Sequence, residues 1–355
     1  MVVLKVNGMN KVPIILMGLG LALIPIHRVG NTFWAIGFTL VLLATVLIIM
    51  TSLRERSLTL GSKCVYIPLA IITLSTVFAQ GDLTSKLIGV ALFAAYVAAV
   101  NLKGELKLLV PIVMIGCASI VACNLLEGVR TGGIYSSGNY NLATGAVVMG
   151  VVLIKSKYQW ILVTAVLVSL LFTGAEEALV ALTVIGLTLL ARRDWSKKIL
   201  LPFGVLVIVV VVGVLNGLVP QFWDAVPSRV EALTQGDVGT ATTERSTGWE
   251  EALTTVKPLG HGYEPFNVRW YSVHNVPLRI LREVGPIAAI AYCFLMVYCL
   301  IKTKRKYIIV ALIALGLFDH FLYTQLCVYT FVAIGIAMRL DQEDDLIFRR
   351  QRRYD

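Results

Sequence analysis

Residues 258–286 read PLGHGYEPFNVRWYSVHNVPLRILREVGP and hold two of the four histidines of the chain, three arginines and two glutamates. The residues that follow, 287–301, are almost entirely apolar. Polar and ionisable side chains beside membrane-type segments are candidates for function, because lipid does not accommodate them without a partner or a cavity. This stretch therefore ends a polar loop and begins the last group of apolar segments.

The composition of the whole chain predicts an integral membrane protein. Of its 355 residues, 57% are hydrophobic and 15% charged, with a mean hydropathy of +0.82, whereas soluble domains carry about 25% charged residues. The net charge is +10, but the lysines and arginines lie in short loops between apolar segments, as they do in cytoplasmic loops. We therefore expect membrane lipid, and no nucleic acid, as a partner.

The apolar segments predict an all-α integral membrane protein with about twelve transmembrane helices, since a helix of about 20 apolar residues crosses a bilayer. The predicted helices are 12–27, 33–51, 64–79, 86–101, 106–124, 140–154, 158–174, 176–191, 199–218, 276–301, 306–319 and 322–339. They divide the chain into residues 1–218 with nine helices, one large extracytoplasmic loop at 219–275 that carries the active-site residues, residues 276–340 with three helices, and a cytoplasmic tail at 341–355.

The charge distribution predicts the orientation of these helices. If the N-terminus is cytoplasmic and the helices alternate in direction, most of the 31 basic residues fall in cytoplasmic loops. Both termini are then cytoplasmic, and the loop 219–275 lies on the outer face. Within this loop, residues 244–257 predict an amphipathic helix, because Trp249, Leu253 and Val256 share one face. This helix lies either on the membrane surface or packed against its own loop.

His274 is the candidate catalytic residue, because an imidazole titrates near neutrality and can act as a general base. The alternative is an interfacial or helix-capping histidine without a chemical role. Asn275, Arg279 and Arg282 follow at spacings of four and three residues, which predicts a shared helix face. Two guanidinium groups on that face suit phosphate oxygens. The alternative is a membrane-interface belt with a local ion pair that involves Glu283.

Other candidate binding residues lie in the same loop or on the same predicted side of the membrane. Gly260 and Gly262 flank a histidine in a tight turn that permits close backbone approach. The candidates for binding a diphosphate or a glycan are Arg229, Arg245, Gly260, Gly262, Tyr263, Asn275, Arg279, Arg282, Glu283, Glu176 and Glu177. The sequence contains neither an HExxH motif nor a clustered acidic metal site, so we expect no metal and no cofactor.

The chain resembles the superfamily of O-antigen ligases and O-antigen polymerases. His274-Asn275 with Gly285 after nine intervening residues is similar to a His-Asn-x9-Gly element of that superfamily. Arg245 and Trp249 resemble its Arg-x3-Trp helix, PLGHGY its Pro-x-Gly-x-Gly turn, and GNYNLATG at 138–145 its Gly-x-x-Asn-x-Ala segment. The chain departs from the superfamily pattern at Ala175-Glu176-Glu177, where that family commonly has Ser-Arg. An arginine that would bind the diphosphate is therefore missing at this position, or its role is taken by Arg229 or Arg130.

The resemblance implies a GT-C-like fold and a metal-independent, inverting glycosyltransferase of the bacterial cytoplasmic membrane, with its active site on the periplasmic face. The donor is a glycan on undecaprenyl diphosphate, arginines hold the diphosphate, and His274 deprotonates the acceptor hydroxyl. The acceptor is lipid A-core for a ligase, or a second lipid-linked glycan for the alternative, a polymerase. A transporter of lipid-linked sugars and a scaffold subunit are the other classes of protein, and charges clustered at the outer face favour the enzyme over both.

Overall fold

The computed structural model describes residues 11–23, 31–102, 231, 234–236, 245–263, 273–318 and 327–351. All regular secondary structure in these residues is helical, which confirms the all-α class. The helices are α1 (Val12–Leu23), α2 (Asn31–Arg54), α3 (Lys63–Phe78), α4 (Leu83–Val100), α5 (Arg245–Thr254), α6 (Val276–Glu283), α7 (Pro286–Lys302), α8 (Lys306–Phe318) and α9 (Cys327–Gln351). The predicted helices at 106–124, 140–154, 158–174, 176–191 and 199–218 lie outside the described residues.

Two of the described helices are long and apolar enough to cross a membrane. They are the segments Ala35–Arg54 and Leu83–Val100. Four shorter apolar helical segments of 10–17 residues accompany them: Val12–Leu21, Lys63–Phe78, Pro286–Lys302 and Lys306–Leu317. The described part of the chain is therefore an all-helical protein with apolar helices of membrane-spanning length.

One prediction from the sequence is wrong: residues 276–301 do not form a single helix. The structure ends α6 at Glu283 and begins α7 at Pro286. Gly285 between them has a φ of 101°, a conformation that glycine adopts readily and other residues do not. Pro286 has no backbone N–H to donate to the preceding turn, and it disfavours a helical conformation in the residue before it. The Gly-Pro pair therefore interrupts the helix.

Helix α9 also differs from its prediction, because it continues through residues 341–351 of the predicted tail. This part of the sequence, DQEDDLIFRRQ, has neither glycine nor proline. Asp345 and Arg349 stand four residues apart with the acidic residue first, a spacing that supports a helix. The apolar segment and the charged tail are thus one continuous helix.

Small residues allow the helices to approach one another closely. A Cβ atom added to Gly20 of α1 would lie 2.6 Å from the carbonyl oxygen of Gly37 in α2, and one added to Gly335 of α9 would lie 2.6 Å from the Cβ of Ala99 in α4. Such glycines are typical of helix contacts in membranes, where van der Waals packing holds the helices together. We infer that α1 pairs tightly with α2, and α4 with α9.

Hydrogen bonds show which helix ends lie together. At one end, the Asn101 amide binds both backbone groups of Thr59 at 2.9 and 2.7 Å, and Asp341 accepts from the Thr303 hydroxyl at 2.5 Å. At the other end, the Tyr329 hydroxyl donates to the carbonyl of Leu21. Among the described residues, the apolar helices that are joined by a short connection, α2 to α3, α3 to α4 and α7 to α8, therefore run in opposite directions.

The two ends of the bundle differ in charge. The end that contains Asn101 also carries the connections at 54–63 and 302–306, and we call it the basic end. These two connections carry the basic residues Arg54, Arg56, Lys63, Lys302, Lys304, Arg305 and Lys306. The opposite end, which we call the loop end, carries the connection at 79–82, the turn at 258–263 and helix α6. The charge distribution predicts that the loops at 54–63 and 302–306 lie on the same side of a membrane. In the structure both loops lie at the same end of the bundle.

Candidate functional site

Helix α6 is a short helix that begins and ends at the residues of the His-Asn-x9-Gly element. Asn275 is its N-cap, and the Asn275 side chain accepts a hydrogen bond from the backbone N–H of Leu278 at 3.0 Å. An asparagine in this position satisfies one of the free N–H groups at the start of a helix. Gly285 follows the last turn with a positive φ. The nine residues between Asn275 and Gly285 therefore correspond to one short capped helix.

The backbone around His274 is held in place by its neighbours. The N–H of Asn275 donates to the carbonyl of Val273 at 2.8 Å, which makes a three-residue turn centred on His274. The Asn275 amide nitrogen also donates to the carbonyl of Leu317, at the end of α8, at 3.1 Å. Val273 is fully buried, whereas His274 is partly exposed. An accessible imidazole thus stands on an ordered backbone between α6 and α8.

Arg279 and Glu283 form a buried ion pair within α6. The Arg279 Nε atom lies 2.5 Å from Glu283 Oε1, and both side chains are almost completely inaccessible. The two residues are four apart, so they face each other on successive turns of the helix. A buried charge must be compensated, because transfer from water to the protein interior is unfavourable for a single ion. The pair therefore holds two charges inside the loop end of the bundle.

Arg282 joins α6 to α5 through a second ion pair. Its Nη2 atom lies 2.5 Å from Oε1 of Glu251, whose side chain is 46% exposed. The hydrogen bond from Arg282 lowers the pKa of the Glu251 carboxyl, so this group remains charged at neutral pH. Glu251 lies 31 residues before Arg282, and the sequence analysis did not single it out. Nothing in the local sequence marks a contact over that separation.

The predicted shared face of Asn275, Arg279 and Arg282 is not an open anion site in this structure. Asn275 caps the helix, and each guanidinium group is buried against a carboxylate. Glu283 faces Arg279 on the same helix. The alternative from the sequence, a local ion pair at this position, agrees with the observed contacts. A diphosphate at Arg279 or Arg282 would first have to displace Glu283 or Glu251.

The turn at residues 258–263 packs against the end of α6. The N–H of His261 donates to the carbonyl of Arg282 at 2.8 Å, and the N–H of Gly262 donates to that of Glu283 at 3.0 Å. These bonds satisfy carbonyl groups at the end of the helix that have no partner within it. Tyr263 is buried, and its hydroxyl donates to Sγ of Cys327 at 3.6 Å. Gly260, Gly262 and Tyr263, predicted to bind substrate, thus contact the protein itself.

Gly260 is the tightest point of this turn. Its φ is +71°, and a Cβ atom there would lie 2.1 Å from the carbonyl oxygen of Glu283. We expect Gly260→Ala to lower the melting temperature strongly, because the turn would have to move away from α6. Gly236→Ala is the matched control, since Gly236 has a similar φ of +77° and no atom of the described residues lies within 4 Å of the added Cβ.

The control separates strain in the backbone from the steric clash. Backbone strain at a positive φ amounts to about 1–2 kcal/mol, and both variants include it. Thermal unfolding of the purified protein in detergent is the measurement. Equal shifts in melting temperature for Gly260→Ala and Gly236→Ala would contradict the close contact between the turn and α6.

A groove of about 500 Å³ lies between α3 and α7. Its lining is apolar apart from Lys63 at one end, and it contains none of the predicted site residues. The lining residues are Lys63, Cys64, Ile67, Pro68, Ile71, Ile287, Ile290, Ala291 and Phe294. Among its lining residues only Lys63 and Cys64 are titratable, and no histidine or carboxylate lines the groove. We therefore place the candidate site at the loop end, at His274.

Several predicted site residues lie outside the part of the chain that the structure describes. These are Arg229, Glu176, Glu177 and the side chain of Arg245, whose backbone begins α5. Within the described residues, no group of three or more histidine, cysteine, aspartate or glutamate side chains is placed to hold a metal ion. The candidate site therefore consists of His274, the cap of α6 and the two ion pairs that fix α6 in place.

The described residues define a class: they are helical, two of their helices are long enough to cross a membrane, and a histidine precedes the N-cap of a short helix at one end of the bundle. No protein-family model matches the sequence, and no curated protein matches it.

Proposed function

We propose that this protein is a membrane-embedded glycosyltransferase that moves a glycan from undecaprenyl diphosphate to an acceptor sugar. The observation that supports this proposal best is the position of His274. It stands in an ordered turn, partly exposed, directly before the N-cap of α6. Catalytic groups require such support, because a base must be held within hydrogen-bond reach of the proton that it removes.

In the proposed reaction, His274 accepts the proton of the acceptor hydroxyl. The resulting oxygen nucleophile attacks the anomeric carbon of the donor sugar, and the bond to the diphosphate breaks with inversion at that carbon. Cationic groups stabilise the negative charge on the departing diphosphate. We assign the binding of the diphosphate to Arg245 and Arg229 of the long loop, because the guanidinium groups of Arg279 and Arg282 already bind carboxylates.

We further propose that the basic end of the bundle faces the cytoplasm and the loop end faces the periplasm of a bacterium. Basic residues cluster at cytoplasmic ends of membrane helices, and the connections at 54–63 and 302–306 contain such clusters. His274 then lies at the outer face of the cytoplasmic membrane, where a lipid-linked glycan is within reach. The preferred acceptor is lipid A-core, which makes the protein an O-antigen ligase, and a second lipid-linked glycan would make it a polymerase.

The test is transfer of a radiolabelled glycan from undecaprenyl diphosphate by the purified protein in the presence of EDTA. Lipid A-core and a second lipid-linked glycan are offered in separate reactions. We expect transfer that EDTA does not inhibit, and the acceptor that becomes labelled distinguishes ligase from polymerase. Labelling of neither acceptor, together with movement of the lipid-linked glycan across vesicle membranes, would indicate a transporter instead.

A further inference from the structure

Helix α5 and the residues after it expose three large apolar side chains. Leu253, Val256 and Leu259 are 58%, 40% and 56% exposed, and we call these three residues the apolar ridge. Another side of α5 carries Gly248 and Ala252, which are buried, and α5 packs against α6. The exposed ridge side chains are therefore separate from the buried side of α5.

The apolar ridge lies beside the ends of two apolar helices. Gly262, three residues after Leu259, packs so closely on the connection between α3 and α4 that an added Cβ would lie 2.4 Å from the carbonyl oxygen of Gln80. The residues on either side of that connection, Phe78 at the end of α3 and Leu83 at the start of α4, are also highly exposed. Exposed apolar side chains thus continue from the helix ends onto the segment after α5.

We propose that the apolar ridge inserts into the outer leaflet of the membrane, at the boundary between head groups and acyl chains. This inference rests on the proposed embedding of the bundle in a membrane. Apolar side chains gain free energy when they leave water, and interfacial helices bind membranes through such a face. The exposed Lys257 lies within the ridge sequence, and a lysine there places its ammonium group among lipid phosphates while its methylene groups stay in the apolar layer.

The contact between the apolar ridge and the membrane determines the distance of His274 from the hydrocarbon layer. The ion pair of Arg282 and Glu251 joins α5 to α6, and the turn at 258–263 donates backbone hydrogen bonds to the end of α6. A membrane contact at the apolar ridge is therefore transmitted to α6, whose N-cap, Asn275, follows His274. The ridge would hold His274 at the level where the diphosphate of a lipid-anchored substrate emerges from the bilayer.

The test measures the surroundings of single nitroxide labels on the full-length protein in lipid nanodiscs of phosphatidylethanolamine and phosphatidylglycerol. The native cysteines are replaced by alanine, and labels are attached to Leu253→Cys, Val256→Cys and Leu259→Cys, one at a time. Thr247→Cys is the matched control at an exposed polar position of α5 that is about 120° around the helix from Leu253, and Val90→Cys, at an exposed position of α4, is the reference for acyl chains. Collisions with oxygen and with a water-soluble nickel chelate report lipid and water respectively.

We expect the ratio of oxygen to nickel collisions at the three ridge positions to exceed that at position 247 several-fold and to approach that at position 90. A water-like ratio at the ridge with a lipid-like ratio at position 90 would overturn the inference and leave the membrane embedding intact. Low collision rates with both reagents at the ridge would mean that protein covers it, which also overturns the inference. A water-like ratio at position 90 would instead contradict the membrane embedding itself.

Discussion

The variant His274→Ala is expected to lose glycosyl transfer by about two to four orders of magnitude, the contribution typical of a positioned general base. The structure explains why a loss of this size would reflect chemistry rather than unfolding. His274 is partly exposed, and the hydrogen bonds that hold the turn around it come from the backbone of Asn275 and the Asn275 side chain. An alanine at position 274 leaves all of these bonds in place. The measurement is the initial rate of transfer to the preferred acceptor.

His261→Ala is the matched control for this variant. His261 also lies at the loop end, but its ring nitrogen interacts with the backbone carbonyl of Thr255, and it belongs to the turn that packs on α6. We expect His261→Ala to retain transfer within a few-fold of the wild-type rate. A comparable loss in both variants would show that any disturbance of the loop end abolishes transfer, and would contradict a specific role for His274.

The pH profile distinguishes a base from a residue that only shapes the site. If His274 acts as the base, the wild-type rate falls as the pH decreases through the range in which an imidazole becomes protonated. The residual rate of His274→Ala lacks this dependence, and added imidazole partly restores transfer. Transfer that is unchanged in His274→Ala would refute the assignment and direct attention to other candidate bases: Glu176 and Glu177, and His320, which follows the predicted helix 306–319.

The variant Glu283→Ala is expected to lower the free energy of unfolding by about 3–5 kcal/mol, because it leaves the Arg279 guanidinium buried without its carboxylate. The two side chains are inaccessible and their charged atoms are 2.5 Å apart, so water cannot readily replace the missing partner. Chemical unfolding in detergent, followed by circular dichroism, measures the change.

Two further variants test the electrostatic origin of this effect. Glu250→Ala removes an exposed carboxylate from α5 and should change the free energy of unfolding by less than about 0.5 kcal/mol. The double variant Arg279→Met/Glu283→Leu removes both charges, and we expect it to recover most of the stability lost in Glu283→Ala, as apolar replacements of buried ion pairs do. A double variant as unstable as Glu283→Ala would contradict the explanation by an uncompensated charge.

The helices of the described part of the chain could largely be predicted from the sequence. Helices α2, α3, α4 and α8 lie within a few residues of the predicted segments, because continuous apolar runs are a local property. The break between α6 and α7 also had a local signal, the pair Gly285-Pro286. The apolar residues on both sides of that pair predict one helix over 276–301, whereas glycine before proline disfavours a continuous helix.

The candidate site was predictable only in part. Asn275 as a capping residue and Arg279 with Glu283 at a spacing of four follow from the geometry of a single helix. The ion pair of Arg282 does not follow from the geometry of a single helix, since its partner, Glu251, lies 31 residues earlier in the chain. The expected open face of two arginines was wrong because a buried guanidinium group needs a counter-charge. Arg279 finds it in Glu283 of the same helix, and Arg282 finds it in Glu251 of another helix.

The sequence by itself determined the helical character of the described residues, the positions of most of their apolar helices and the capping role open to Asn275. These depend on hydrophobicity, on capping and on the backbone preferences of glycine and proline, all of which act over a few residues. The tertiary structure alone decided that Arg282 meets Glu251, that the turn at 258–263 closes the end of α6, and that Leu253, Val256 and Leu259 remain exposed. Such contacts join residues far apart in the chain, and they form only when the packing of whole helices brings their side chains together.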